Sequence, residues 1–144
     1  MRVLKSLLVA CIGVTALLYA MQNLGNVSEI REAQRAASGT LPIFNWIAFG
    51  VVVLFQFLIA AVGLQGGWKL FAARHGTPEQ FKEAKTLAVW TGALSLLAWF
   101  VLFFMTGGGL FQWGSESGEV AMAKAFALGS TSALTILFVW GTTD

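Results

Sequence analysis

Four long apolar stretches govern what this chain can become. They run over residues 3–21, 43–68, 84–105 and 120–140, and each can cross about 30 Å of hydrocarbon as one helix at about 1.5 Å per residue. The runs are continuous and do not alternate in short segments, which excludes a transmembrane barrel. Hydrophobic residues make up 57% of the 144 positions and charged residues 11%. With a mean hydropathy of +0.74, such a chain could not hide its apolar surface from water. The expected fold is therefore all-α: a four-helix transmembrane bundle forming a single four-span domain over residues 1–144, with no room for a separate soluble domain.

The first stretch contains LLVAC, Leu7 to Cys11, behind Arg2 and Lys5, a pattern shared with bacterial lipoprotein signals. A cleavable leader needs a longer apolar region between its basic start and the cysteine than residues 6–10 provide. Since the apolar run continues past Cys11 to Met21, the segment reads as a membrane span. Cys11 is then a small apolar residue inside it.

Orientation follows from the basic residues. Arg2, Lys5, Lys69, Arg74, Lys82 and Lys85 fall on one side of the four spans, and Arg31, Arg35 and Lys124 on the other. Six against three predicts that both termini and the middle connection are cytoplasmic in a multi-pass membrane protein. The basic residues form no cluster suited to nucleic acid.

The connections carry local signals. Ser28 is expected to cap a short loop helix, with Glu29 and Glu32 early, Arg35 late and Gly39 as its stop; Ile30, Ala33 and Ala37 would share one face. His75 and Gly76 should end the second helix, while Thr77, Pro78 and Gln80 supply a cap, a first-turn proline and a capping-box partner for the third. The third connection, TGGGLFQWGSESGE, lacks the Gly-Lys-Ser/Thr ending of a phosphate loop, and its Phe111 and Trp113 suit the headgroup region.

Within the spans there is little to react. The single histidine, His75, lies in a turn, and no acid falls inside a span. Met21, Met105 and Met122 lie near span ends and read as gap-filling residues. No catalytic, metal or cofactor site is expected, and no enzyme. The polar residues inside are neutral: Thr15, Gln56, Gln65, Thr91, Ser95, Ser130, Thr131, Ser132 and Thr135. Gln56 is the most informative, as an intramembrane polar tie between helices, with a ligand or quinone contact the alternative. Lys124 can snorkel to the headgroups.

Small residues point to close packing. Ala121, Ala125, Gly129 and Ala133 recur every fourth position, and Gly63 and Gly67 form a second pair; both sets are candidate helix-packing or partner-interface positions. Large residues such as Phe49, Phe55, Phe57, Trp90, Trp99, Phe100, Phe103 and Phe104 exceed what four short helices bury among themselves, so some must face lipid or other subunits.

Phe81, Ala84 and Lys85 lead into LLAWFVLFF and TGG, then an aromatic loop and a last span ending just before an acid. With LLYAMQNL and GLQGGWKLFAAR, this pattern resembles the bacterial family of predicted small integral membrane proteins of unknown function (domain of unknown function 2165). The resemblance implies fold and topology without an activity. It also implies glutamates at the positions held here by Gln56 and Gly109. A member lacking both titratable groups fits a non-catalytic accessory subunit, packed against lipids and a larger inner-membrane complex, with an energy-transducing complex (respiratory or photosynthetic) the candidate. The alternative is a small homo-oligomeric transporter or channel with Gln56, Gln65 and Lys124 near its pathway.

Overall fold

The computed structural model describes residues 1–29, 32, 42–102 and 116–142. Among them the chain is helical throughout its long elements, with no strand. Helix α1 spans Arg2–Gly25, α2 Pro42–Ala72, α3 Pro78–Leu96 and α4 Glu116–Gly141. A single 3-10 turn, Ala73–His75, follows α2. Three helical segments among the described residues, Arg2–Gly25, Phe49–His75 and Met122–Gly141, are long and apolar enough to cross a membrane. Only 33%, 33% and 28% of their apolar windows are buried inside the chain, so most of that surface needs lipid or another apolar neighbour.

The third predicted span extends to residue 105, outside the described residues. Its described part differs from one uninterrupted α-helix. Glu79, Lys82, Glu83 and Lys85 make the start of α3 polar, and after Leu96 the backbone widens into a π-helical stretch, Leu97–Leu102. Periodicity alone does not reveal such a widening, because it adds one residue to a turn without changing composition. It accommodates three consecutive residues with different neighbours: Ala98 joins the core beside Ala16, Ile59 and Ala60, Trp99 meets Tyr19 edge-on at 5.5 Å, and Phe100 reaches α4.

The turn between α2 and α3 forms as its residues dictate. Thr77 Oγ1 accepts a hydrogen bond from the Gln80 backbone N–H at 3.3 Å, and Gln80 Oε1 accepts one from the Thr77 N–H at 3.0 Å. Pro78 occupies the first turn, where its missing N–H costs nothing. The first loop is described only in part. Residues 27–29 are helical, so Ser28 lies within helical backbone and does not cap it; Arg35, Gly39 and the predicted face of Ile30, Ala33 and Ala37 lie outside the described residues.

Helices α1 and α2 run antiparallel along the most extensive helix–helix contact among the described residues. Around them are two apolar clusters. Val9, Leu70, Phe81, Ala88 and Val139 draw on all four helices, and Ala16, Ile59, Ala60 and Ala98 form the second, flanked by Ile12, Leu17, Phe55 and Leu94.

Candidate functional site: the glycine crossing, the basic end and the polar interior

Glycines set how close the helices come. A Cβ added at Gly63 would lie 2.8 Å from Gly13 Cα, and one at Gly13 would lie 2.8 Å from the Leu64 backbone nitrogen. One turn along, a Cβ at Gly67 would lie 2.8 Å from Ala10 Cβ and 3.0 Å from the Ser6 carbonyl oxygen. Gly63 and Gly67 thus receive α1 of the same chain. The adjacent Gly66 points to α3, where an added Cβ would meet the Ala88 nitrogen at 3.3 Å. Two successive glycines let α2 accept a backbone on each side, as small-residue packing in membranes requires.

Along α1 the buried positions include Ser6, Val9, Gly13, Ala16 and Ala20. Their spacing alternates three and four, which tracks one helical face. The α4 stripe behaves differently. A strict four-residue step advances about 400°, so it drifts about 40° per step round a helix of 3.6 residues per turn. Ala125 and Gly129 are buried, Ala133 is only partly so, and the buried face continues through Ser132, Thr135 and Val139. Gly129 is filled from within: a Cβ there would overlap the Phe100 ring, just as one at Gly92 on α3 would overlap Ile136 of α4. Nothing is described of the Ala121 side chain.

At one end of the molecule the start of α1 ties down the ends of two other helices. Arg2 Nη1 donates to the Gly76 carbonyl oxygen at 2.7 Å and to that of Arg74 at 3.3 Å. Lys5 Nζ donates to the Thr142 carbonyl oxygen at 2.8 Å, just beyond the end of α4. These carbonyls lie at the negative ends of helix dipoles, where a cation is favoured. Lys5 is fully buried, and Lys85 nearly so. Arg2, Lys5 and Lys85 gather round the buried Phe81 ring at 4.8, 5.8 and 5.7 Å from its centroid, within cation–π range. Sequence reading treated these cations as orientation signals. The missed clue was their spacing: Arg2 and Lys5 stand three apart on α1, and Phe81 and Lys85 four apart on α3, so each pair shares a helix face.

The polar interior is mostly neutral. Gln56, 1% exposed, accepts a hydrogen bond through Oε1 from Asn23 Nδ2 at 2.9 Å. Asn23 lies ten residues, about 15 Å, beyond the Gly13–Gly63 crossing, so Gln56 is level with the far end of α1 and not with its centre. Thr91 donates to the Leu87 carbonyl oxygen at 2.8 Å. Ser95 Oγ is buried with no hydrogen-bond partner. Gln65, Lys124 and His75 are exposed, as is Cys11. Among the described residues no three His, Cys, Asp or Glu side chains gather as metal ligands would. Gly109, Phe103, Phe104, Met105, Phe111 and Trp113 lie outside the described residues.

No curated protein and no solved structure matches the chain. A family match begins at residue 31, so it leaves out α1, and with it LLYAMQNL, but runs through α2 and α3 to the end of α4. Over residues 31–141 the sequence fits the family described as "Predicted small integral membrane protein (DUF2165)", and the chain belongs to that family.

Proposed function

We propose that this integral membrane protein spans the bacterial inner membrane four times, with both termini in the cytoplasm, and serves as a non-catalytic accessory subunit of a larger membrane complex. The topology is supported by the bonds from Arg2 to Gly76 and from Lys5 to Thr142. They bring the start of α1, the α2–α3 turn and the end of α4 to one end, which also holds most of the Lys and Arg residues. Under the positive-inside rule that end is cytoplasmic.

The observation that carries the subunit reading is the outer face of α4. Phe126, Leu134, Leu137 and Trp140 are 57–67% exposed and fall within a sector of about 120° at 100° per residue. The adjoining sector of the helix holds Ala125, Gly129, Ser132 and Val139, turned into the chain. The contact with a partner therefore uses the large residues of α4 and not its small stripe. Lipid fills whatever the partner leaves open.

Isolation in gentle detergent, followed by mass spectrometry and an absorption spectrum, tests this. Stoichiometric companion subunits are expected, and their recovery should fall when Leu134 and Leu137 are both replaced by alanine. A chain that purifies alone, and that supports flux into vesicles abolished by Gln56→Leu, would replace this reading with that of a small homo-oligomeric transporter.

A further inference from the structure

Hydroxyl residues in membrane helices usually bond back to the carbonyl four residues earlier. Thr91, Thr131 and Thr142 do so, donating to Leu87, Ala127 and Phe138 at 2.7–2.8 Å. Ser132 and Thr135 behave otherwise. They are 5% and 8% exposed, and neither bonds to any described residue. Both line a pocket of about 120 Å³ between α1 and α4, together with Leu8, Ile12 and Thr15 of α1 and Trp99 of the π-helical stretch. Unlike Ser95 Oγ, their hydroxyl oxygens are not sealed in, so they can donate to an acceptor that enters the cleft they line.

Depth narrows the choice of acceptor. Lys5 and Thr142 are bonded to each other, and Thr15 and Ser132 each lie ten residues further along their helices, about 15 Å inward. That is the middle of a hydrocarbon layer about 30 Å thick. Phospholipid esters stay at the boundary and cannot bring their oxygens so deep. A neutral ring compound that dissolves wholly in hydrocarbon can. At about 120 Å³ the cleft is smaller than a cavity that takes one benzene, about 150 Å³, so it admits the carbonyl edge of such a ring while the rest lies in lipid, and Trp99 is part of its lining.

We propose that this cleft binds the carbonyl edge of the head ring of a lipophilic quinone, with Ser132 and Thr135 donating to a ring carbonyl, Trp99 beside the ring, and the tail in lipid. The inference needs the chain to be membrane-embedded but does not depend on the accessory-subunit reading.

The test uses the full chain in mild detergent and a fully ring-substituted benzoquinone with a decyl tail, which cannot add to the Cys11 thiol. Tryptophan quenching should saturate at one quinone per chain. Decylbenzene, which has the ring and tail without carbonyls, should compete at least tenfold less well. The near-isosteric double variant Ser132→Ala/Thr135→Val should bind about tenfold more weakly, as expected for two lost hydrogen bonds. If circular dichroism shows that variant to be misfolded, Leu128→Phe, which narrows the pocket from another position, takes its place and should also weaken binding. Quenching that never saturates, equal competition by decylbenzene, or unchanged affinity in the folded variant would overturn the assignment.

Discussion

Where α1 crosses α2, Gly13 and Gly63 bring the two backbones so close that neither could carry a Cβ without displacing the other helix. Where α1 faces α4, a pocket of about 120 Å³ remains, with hydroxyls at its edge. The same helix thus makes one tightly closed contact and one open contact, at a similar depth. Gly13 belongs to the first and Thr15, two residues on, to the second. In lipid no hydrophobic force drives helices together, so closeness comes from van der Waals contact between small residues. The α1–α2 seam has those residues in register on both sides, Gly13 with Gly63 and Ala10 with Gly67. The cleft is lined by Leu8 and Ile12 on α1 and by Leu128 on α4, and side chains of that size hold backbones further apart than the seam's glycines and alanine.

This contrast can be broken by substitution. The largest effect is expected for Gly13→Leu, which would force α1 from α2 and cost about 3 kcal/mol, at the upper end for overpacking; thermal unfolding in detergent measures it, and an unchanged melting temperature would show that the crossing is not tight. Next comes Ser95→Ala. Its hydroxyl is buried without a partner, so removing it should raise stability by about 1 kcal/mol, and a loss instead would mean that the hydroxyl is satisfied. Gln56→Leu orphans Asn23 and should cost about 0.6 kcal/mol, and at most about 1.7, as for other bonds between membrane helices. A double-mutant cycle with Asn23→Ala isolates that coupling.

The smallest effect is expected at the cleft. In the ligand-free protein Ser132→Ala/Thr135→Val removes no bond within the chain, so its melting temperature should stay within the equivalent of about 0.5 kcal/mol. A large loss there would make the cleft a structural contact like the crossing.

Part of this was legible beforehand. The spans near α1, α2 and α4 follow from hydropathy, and the capping box at Thr77 and Gln80 follows from four consecutive residues, because both depend only on near neighbours in the chain. The small-residue pairs were visible too, but not what they meet. Gly67 faces Ala10 while Gly66 faces Ala88, and nothing in GLQGGW itself assigns one glycine to each neighbour. The α4 stripe is followed only in part: Ala125 and Gly129 are buried, but a four-residue repeat drifts round a straight helix, and the buried face passes from Gly129 to Ser132 and Thr135.

Sequence alone determined that this polypeptide is a helical membrane protein, since hydrocarbon leaves the backbone no other way to satisfy its hydrogen bonds in continuous apolar runs. It also determined where the cations accumulate. Tertiary structure decided which groups those cations reach, that helix three widens at Leu97–Leu102 to place Trp99, and that Ser132 and Thr135 of α4 line a cleft beside α1. Those outcomes depend on the relative rotation and separation of helices far apart in the chain, which short-range pattern does not encode.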